Sequence, residues 1–190
     1  MTAVRMSGGS TTTDGAGLNL PSAHTFAATL ALLRGFFGFV FLLNGIAKLF
    51  AFHRVAIGPL VVNLIDRADT RFILDVTANG PGQRPHAPVR SVVNDVFLKH
   101  FGVWQWVFTV AELGIGLLLV LGLASRLGAL LGLLQVGFLA LLYLGNDRWL
   151  FEQPLEVVPL LLLAVVPSGR VWGVDGSSLL PGRLRGRWPS

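Results

Sequence analysis

Four long apolar runs dominate the chain, and they restrict it to folds that form in a lipid bilayer. The runs cover residues 26–51, 102–124, 126–145 and 149–167. A helix needs about 20 residues, at 1.5 Å per residue, to cross the hydrocarbon core of a membrane. Only 13% of the 190 residues are charged, whereas soluble domains have about 25%. The runs therefore predict four transmembrane helices.

The polar segments divide the rest of the chain. Residues 1–24 are rich in Ser, Thr and Gly and predict a disordered N-terminal tail. Residues 25–180 then form one domain, and residues 181–190 form a basic C-terminal tail. The links between the last three runs are only a few residues long, which favours antiparallel neighbours. We therefore expect an all-α fold, a membrane-embedded antiparallel four-helix bundle.

The segment 52–101, between the first two runs, is long enough to contain structure of its own. Its stretches 58–77 and 89–101 have mixed, amphipathic patterns and predict two short helices. These helices either lie at the membrane interface or form a small subdomain of the loop. The sequence favours neither arrangement, so we expect a long, partly helical loop.

Four ionisable residues interrupt the apolar runs: Arg34, Lys48, Glu112 and Glu156. A charge inside a membrane segment costs roughly 2.5–3.5 kcal/mol on insertion scales, so it usually has a partner or a task. Helical rise places Arg34 near Glu112 in depth, and Lys48 near Glu156. The sequence therefore predicts two ion pairs between these neighbours, although Lys48 could instead snorkel to the interface.

Arg34 and Glu112 are the candidates for a catalytic role, because they lie deepest. Glu112 either neutralises Arg34 and joins two helices, or it carries a proton or accepts a hydrogen bond from a polar headgroup such as that of a quinone. Asn44 and Gln135 are uncharged polar residues of the apolar runs, and we expect them to form hydrogen bonds between helices. The predicted polar centre consists of Arg34, Lys48, Glu112, Glu156, Asn44 and Gln135.

The composition excludes several kinds of chemistry for this chain. It has no Cys, which excludes disulfides, thiol redox chemistry and iron–sulfur clusters. Its four His lie outside the apolar runs, so a haem in the bundle would lack axial ligands. The spacing of His53, His86 and His100 matches no metal motif, and we expect no metal site. The net charge of +5 comes from basic residues beside apolar runs, so the lipid bilayer, not nucleic acid, is the expected partner.

Three stretches resemble the DoxX/DoxD family of small bacterial membrane proteins. LLRGFFGFVFLLNGIAKLF (32–50) resembles the first helix of that family, and AELGIGLLLVLGLASRLGALLG (111–132) resembles its second helix and the start of its third. PLEVVPLLLLAVVPSGRVWGVDGSSL (154–179) resembles its fourth helix and its ending, with Ser168 in place of a glycine. The long loop is more like the DoxD, or thiosulfate:quinone oxidoreductase small-subunit, branch. The motif positions that the resemblance implies are Arg34, Gly45, Lys48, Glu112, Arg126, Glu156 and Asp175.

The resemblance implies an accessory or quinone-contacting membrane subunit of an oxidoreductase complex. A quinone is then the candidate cofactor, and none is bound covalently. Electrons would come from a soluble or membrane redox partner protein, because the chain has no redox group of its own. The implied location is the bacterial plasma (inner) membrane, and Arg126 and the basic tail favour cytoplasmic termini. A structural or scaffolding membrane protein without catalysis and a small-solute transporter remain as alternatives.

Overall fold

Three long apolar helices and a folded loop make up the computed structural model, which describes residues 22–149 and 152–177. The long helices are consistent with a membrane protein, because each is long and apolar enough to cross a bilayer. They are α1, α4 and α5 of the following series. In chain order the elements are α1 (Ala23–Phe50), β1 (Arg54–Ile57), β2 (Leu60–Asn63), α2 (Arg67–Asn79), α3 (Ala87–Ser91), α4 (Phe101–Leu121), α5 (Ser125–Tyr143) and α6 (Val157–Val165).

The ends of the long helices follow local capping signals. Helix α1 begins three residues before the predicted run, where the side chain of Ser22 accepts a hydrogen bond from the Thr25 N–H (3.1 Å). Helix α4 ends at Leu121 and is capped by Gly122, which has a φ of +61°, a conformation that suits glycine. The predicted N-terminal tail lies largely outside the described residues, but Ala23 and His24 of it belong to α1. The predicted C-terminal tail, 181–190, lies wholly outside them.

The fourth predicted run contains a much shorter helix than the other three. Its helix, α6, has nine residues and covers about 14 Å, whereas the hydrocarbon core is about 30 Å thick. Pro159 is its third residue, where a missing N–H breaks no helical hydrogen bond. Two 3₁₀ turns follow α6, at Ser168–Arg170 and Val174–Gly176.

The loop between α1 and α4 differs from the prediction in its first half. The helix predicted over 58–77 is wrong there, because β1 and β2 form an antiparallel hairpin in which Val55 lies opposite Val62. The β-branched residues and the Gly58–Pro59 turn favour strands. Helix α2 begins only after Asp66, whose side chain forms a capping box with Asp69. The stretch predicted as a second helix is α3 followed by a π-helix, Val92–Leu98.

Two apolar clusters stabilise the described part of the chain. The first joins α1, α4, α5 and α6, and the second lies under the loop helices. Helices α1 and α4 pack backbone to backbone, because a Cβ atom added at Gly116 would lie 2.5 Å from Leu42 N. The buried members of the first cluster are Phe37, Phe41, Ile115, Leu119, Ala129, Leu160 and Leu163. Those of the second are Leu74, Ala78, Val93, Phe101 and Leu142.

Candidate polar site at an apolar cavity

A buried ion pair joins α1 to α4. Lys48 lies in the last turn of α1, and its Nζ is 2.8 Å from Glu112 Oε2 in the middle of α4. Lys48 is only 1% exposed and Glu112 only 7%. Truncation of one partner of such a pair leaves an uncompensated buried charge, which is strongly destabilising.

The second oxygen of the same carboxylate binds a third helix. Gln135, on α5, donates from Nε2 to Glu112 Oε1 at 2.8 Å. Each Glu112 oxygen therefore accepts from a different helix, and one carboxylate connects α1, α4 and α5. We refer to Lys48, Glu112 and Gln135 as the polar triad.

The long loop is fastened to the triad through one peptide unit. Lys48 Nζ donates a second hydrogen bond, to the carbonyl oxygen of Ile65 (2.9 Å). The Ile65 N–H donates to Asn44 Oδ1 (2.9 Å). Asn44 and Lys48 are one helical turn apart and lie on the same face of α1. Together they satisfy both backbone groups of Ile65, which fixes the chain between the hairpin and α2.

The triad borders a cavity of about 720 Å³. This volume lies within the range of about 300–1,000 Å³ that is typical of small-molecule sites. Most of the wall is apolar and includes Phe37, Phe41, Phe108 and Phe138. The polar side chains of the wall are Asn44, Lys48, Thr70, Glu112, Gln135 and Glu156. The cavity therefore combines an apolar body with a small number of polar groups, as is usual for a ligand site.

Arg34 belongs to a separate cluster, in which it binds backbone oxygens. Its Nη1 donates to the carbonyl of Ser168 (2.7 Å), with a longer contact to that of Val171 (3.4 Å). Its Nη2 donates to the carbonyl of Trp172 (3.2 Å). Arg34 is 2% exposed, so these bonds hold the segment after α6 against α1.

Asp175 binds the same segment to the turn between α4 and α5. Its two carboxylate oxygens accept hydrogen bonds from the N–H groups of Ala124 (2.7 Å) and Ser125 (3.0 Å). A carboxylate at the first residues of α5 satisfies free N–H groups and suits the helix dipole. Asp175 also interacts electrostatically with Arg34. We refer to Arg34, Asp175 and the carbonyls that Arg34 binds as the C-terminal clamp.

Both predicted ion pairs are wrong. Arg34 binds backbone carbonyls instead of Glu112, and Glu112 pairs with Lys48. Glu156 is exposed immediately before α6 and contributes to the cavity wall. Of the six residues of the predicted polar centre, five therefore lie at the cavity, and Arg34 lies apart from them.

The two predicted interhelical amides have different partners. Gln135 does bond between helices, from α5 to α4, but Asn44 binds the loop at Ile65. Sequence reasoning missed Ile65 because both of its contacts are made by backbone atoms. It also missed the carbonyl partners of Arg34. The sequence signal for this arrangement is the pair Gly122 and Gly173, which leave space for the guanidinium. A Cβ atom added at Gly122 would lie 2.6 Å from Arg34 Nη1, and one added at Gly173 would lie 2.8 Å from it.

These features define a class of protein: a mostly helical membrane protein with a buried polar triad at the wall of an apolar cavity. No family model matches the chain, and no curated protein or solved structure matches it. Membership of a family therefore stays a prediction from the three sequence motifs.

Proposed function

We propose that the chain is a DoxX-like, four-span protein of the bacterial plasma membrane and an accessory, quinone-contacting subunit of an oxidoreductase complex. The observation that carries this proposal is the cavity of about 720 Å³ with the polar triad in its wall. A partner protein would supply the electrons, because this chain has no Cys for thiol redox chemistry or for an iron–sulfur cluster.

Contacts between α1 and α4 support the antiparallel arrangement within this proposal. Gly38 of α1 lies against Leu119 of α4, and Gly45 lies against Leu113. Between these two contacts, Leu42 lies against Gly116. The residue numbers therefore rise along one helix as they fall along the other. Only three residues, 122–124, separate α4 from α5, so the chain must reverse between them.

The fourth membrane span of this proposal would consist of α6 and the segment that precedes it. Backbone that is not helical is tolerated at membrane depth only where it is buried in protein or lines a cavity. Pro154 and Glu156 precede α6 and line the cavity, which fits this requirement. Helix α6 also packs on α5, and its Leu160 and Leu163 belong to the first apolar cluster.

The chemistry of the triad suits a quinone headgroup. An ammonium has three N–H groups, and within the described residues Lys48 donates two, to Glu112 and Ile65. The third is available to a carbonyl oxygen in the cavity. The Gln135 amide has a second N–H as well, since one binds Glu112. The apolar wall would enclose an isoprenoid tail, while these donors would orient the ring.

The test is binding of a short-chain benzoquinone to the full chain in lipid nanodiscs, measured by quenching of tryptophan fluorescence. Gln135→Leu removes one headgroup donor and should weaken binding about tenfold, the equivalent of one hydrogen bond of about 1.4 kcal/mol. Gln105→Leu is the matched control, because Gln105 is on α4 and its amide binds the Gly102 carbonyl instead of the cavity wall. Its binding should equal that of the wild type. Absence of quinone binding by the wild type, or equal loss in both variants, would overturn the proposal.

A scaffolding function is the second candidate, and the complete pairing of the two Glu112 oxygens favours it. On that hypothesis the triad only holds helices together. The double variant Lys48→Met with Glu112→Met removes both charges together, which proteins often tolerate when shape is kept. A folded double variant that still binds the benzoquinone as the wild type does would favour the scaffold. A folded double variant without binding favours the quinone site.

A further inference from the structure

The hairpin of β1 and β2 presents an uncovered apolar surface. Ile57 is 70% exposed and Leu60 is 60% exposed, one on each side of the Gly58–Pro59 turn, and Val61 and Val62 are exposed beside them. Among residues 22–149 and 152–177 the sheet consists of these two strands, and an isolated hairpin is marginally stable in water. An apolar patch of this kind on a small element usually marks a surface that something covers.

The position of the hairpin indicates what covers it. Its base is closed by a hydrogen bond from Leu64 N to His53 O, and the next residue, Ile65, is bound by Asn44 and Lys48. These two residues lie about 9 Å and 3 Å before the end of α1. A four-residue strand is only about 13 Å long, so the whole hairpin stays close to the end of α1, where a spanning helix would leave the hydrocarbon core.

Polarity changes along the hairpin in a direction that fits a lipid surface. At the base of the hairpin the facing residues are polar, with Arg54 opposite Asn63. At its tip they are apolar, with Ile57 opposite Leu60. The strands have unpaired backbone groups at both edges, which the hydrocarbon core does not tolerate. The interfacial layer provides both water for these groups and acyl chains for the tip.

Two arginines of α2 lie in the same part of the molecule without an acidic partner. The guanidinium of Arg67 is 4.6 Å from the centre of the Trp106 ring, and that of Arg71 is 5.7 Å from the Phe101 ring. Neither forms an ion pair within the described residues. Both rings belong to the first two turns of α4, and aromatic residues concentrate at the interfacial ends of spanning helices. Two positive charges held at that level match the phosphate groups of anionic lipids.

We propose that residues 54–71 form an interfacial anchor for the bilayer. The hairpin tip inserts among the outer methylene groups of the adjacent leaflet, while Arg67 and Arg71 bind the phosphates of anionic phospholipids. Ile65, between the two parts, is held to α1 by Lys48 and Asn44, which keeps both parts near the end of that helix. Ile65 and Thr70 of this segment belong to the cavity wall, but the apolar tip and both guanidinium groups lie outside it, so the anchor is tested apart from the quinone proposal.

The absence of Cys from the sequence allows a direct test of depth in the full chain. Leu60→Cys, labelled with an environment-sensitive fluorophore and reconstituted in vesicles, should be quenched severalfold more by lipids with a shallow spin label than by aqueous iodide. His86→Cys is the control, because His86 is exposed in the same loop and caps no helix with its side chain. It should show the opposite preference. Ile57→Cys repeats the measurement at the other side of the tip if the first variant does not fold.

Two outcomes would overturn the insertion of the tip. One is equal access of iodide to the labels at Leu60 and His86. The other is protection of the Leu60 label from iodide and from the lipid quenchers alike, which would mean that protein covers the tip.

The lipid preference is tested separately with spin-labelled lipids. The wild type should bind spin-labelled phosphatidylglycerol severalfold more strongly than spin-labelled phosphatidylcholine, and Arg67→Gln with Arg71→Gln should remove most of that preference. Arg84→Gln with Arg90→Gln is the charge-matched control, because both side chains are exposed elsewhere in the loop. If both double variants keep the preference, or both lose it equally, Arg67 and Arg71 are not the anionic-lipid site.

Discussion

The polar triad and the C-terminal clamp show two different ways of burying a cation in an apolar protein. In the triad, Lys48 binds one backbone carbonyl, that of Ile65, and a carboxylate whose other oxygen binds an amide, so its charge is neutralised by a side chain. In the clamp, Arg34 binds the carbonyls of Ser168 and Trp172, so the partners are backbone. Both cations are almost fully buried, and yet only the triad borders the cavity.

The difference teaches which buried charge is available for binding. The clamp is closed tightly around Arg34, because a Cβ atom added at Gly122 or Gly173 would lie within 3 Å of its guanidinium. Neither Arg34 nor the residues whose carbonyls it binds line the cavity of about 720 Å³. In the part of the chain that the structure describes, Lys48 and Gln135 each have one N–H without an acceptor and both line the cavity, so the triad can bind a ligand as well as contribute to stability.

The largest expected effect is that of Lys48→Met, which leaves the Glu112 carboxylate buried without its cation. We expect a loss of about 4 kcal/mol in the free energy of unfolding, measured by detergent-induced unfolding in mixed micelles. Adding Glu112→Met should restore most of the loss, because it removes the uncompensated charge. Equal stability of the single variant and the wild type would show that the pair contributes nothing to the fold.

Arg34→Met should have the next largest effect and should act locally. It leaves the carbonyls of Ser168 and Trp172 without their donor, a loss of about 3 kcal/mol. The segment after α6 should detach, so trypsin should cleave after Arg170 faster than in the wild type. The control for stability is Arg170→Met, because Arg170 is exposed in the same segment and should change the free energy of unfolding by less than about 0.5 kcal/mol. If Arg34→Met leaves cleavage unchanged, the clamp does not hold the segment.

Gly116→Ala tests the helix contact on which the triad depends. The added methyl group would meet the backbone of Leu42, and we expect a loss of about 2 kcal/mol from overpacking. Gly114→Ala is the matched control on the same helix, because nothing lies within 4 Å of its added Cβ atom. It should be neutral or stabilising by up to about 1 kcal/mol. The same unfolding measurement compares both, and equal effects would contradict the close approach of α1 and α4.

Ser125→Ala should have the smallest of these effects. It removes the acceptor of one buried hydrogen bond, from Gly169 N–H to Ser125 Oγ (3.0 Å), which is worth about 1 kcal/mol. Trypsin cleavage after Arg170 should be moderately faster, and benzoquinone binding at the distant triad should stay unchanged. A loss of quinone binding in this variant would show that the clamp and the cavity are coupled.

The long helices were predictable because their signal is local. A run of about 20 apolar residues predicts a spanning helix without information from the rest of the chain. Helices α1, α4 and α5 begin within three residues of the predicted spans. The hairpin was missed because its β-branched residues were interpreted as one face of an amphipathic helix. Its Gly58–Pro59 turn and the Asp66–Asp69 capping box, which delays the start of α2, were the local signals against that interpretation.

The polar site was predictable in its members but not in its pairing. Helical rise places Arg34 and Glu112 at similar depths in the membrane, which predicts an ion pair between them. That prediction considers only side chains as partners of Arg34. Arg34 instead binds carbonyls that a turn after α6 brings back to α1, with Trp172 at a φ of +53°. Backbone partners have no side-chain signal in a sequence, so the same reasoning could not find Ile65 or the clamp.

The two hydrogen bonds at Ile65 have a consequence for how the interior can be observed. Its amide hydrogen is held by Asn44 and its carbonyl by Lys48, the same ammonium that neutralises Glu112. Separation of the loop from this face of α1 therefore breaks both bonds and leaves the ammonium of Lys48 with Glu112 alone. Hydrogen–deuterium exchange at the Ile65 amide should consequently report on the contact between the loop and the buried end of α1.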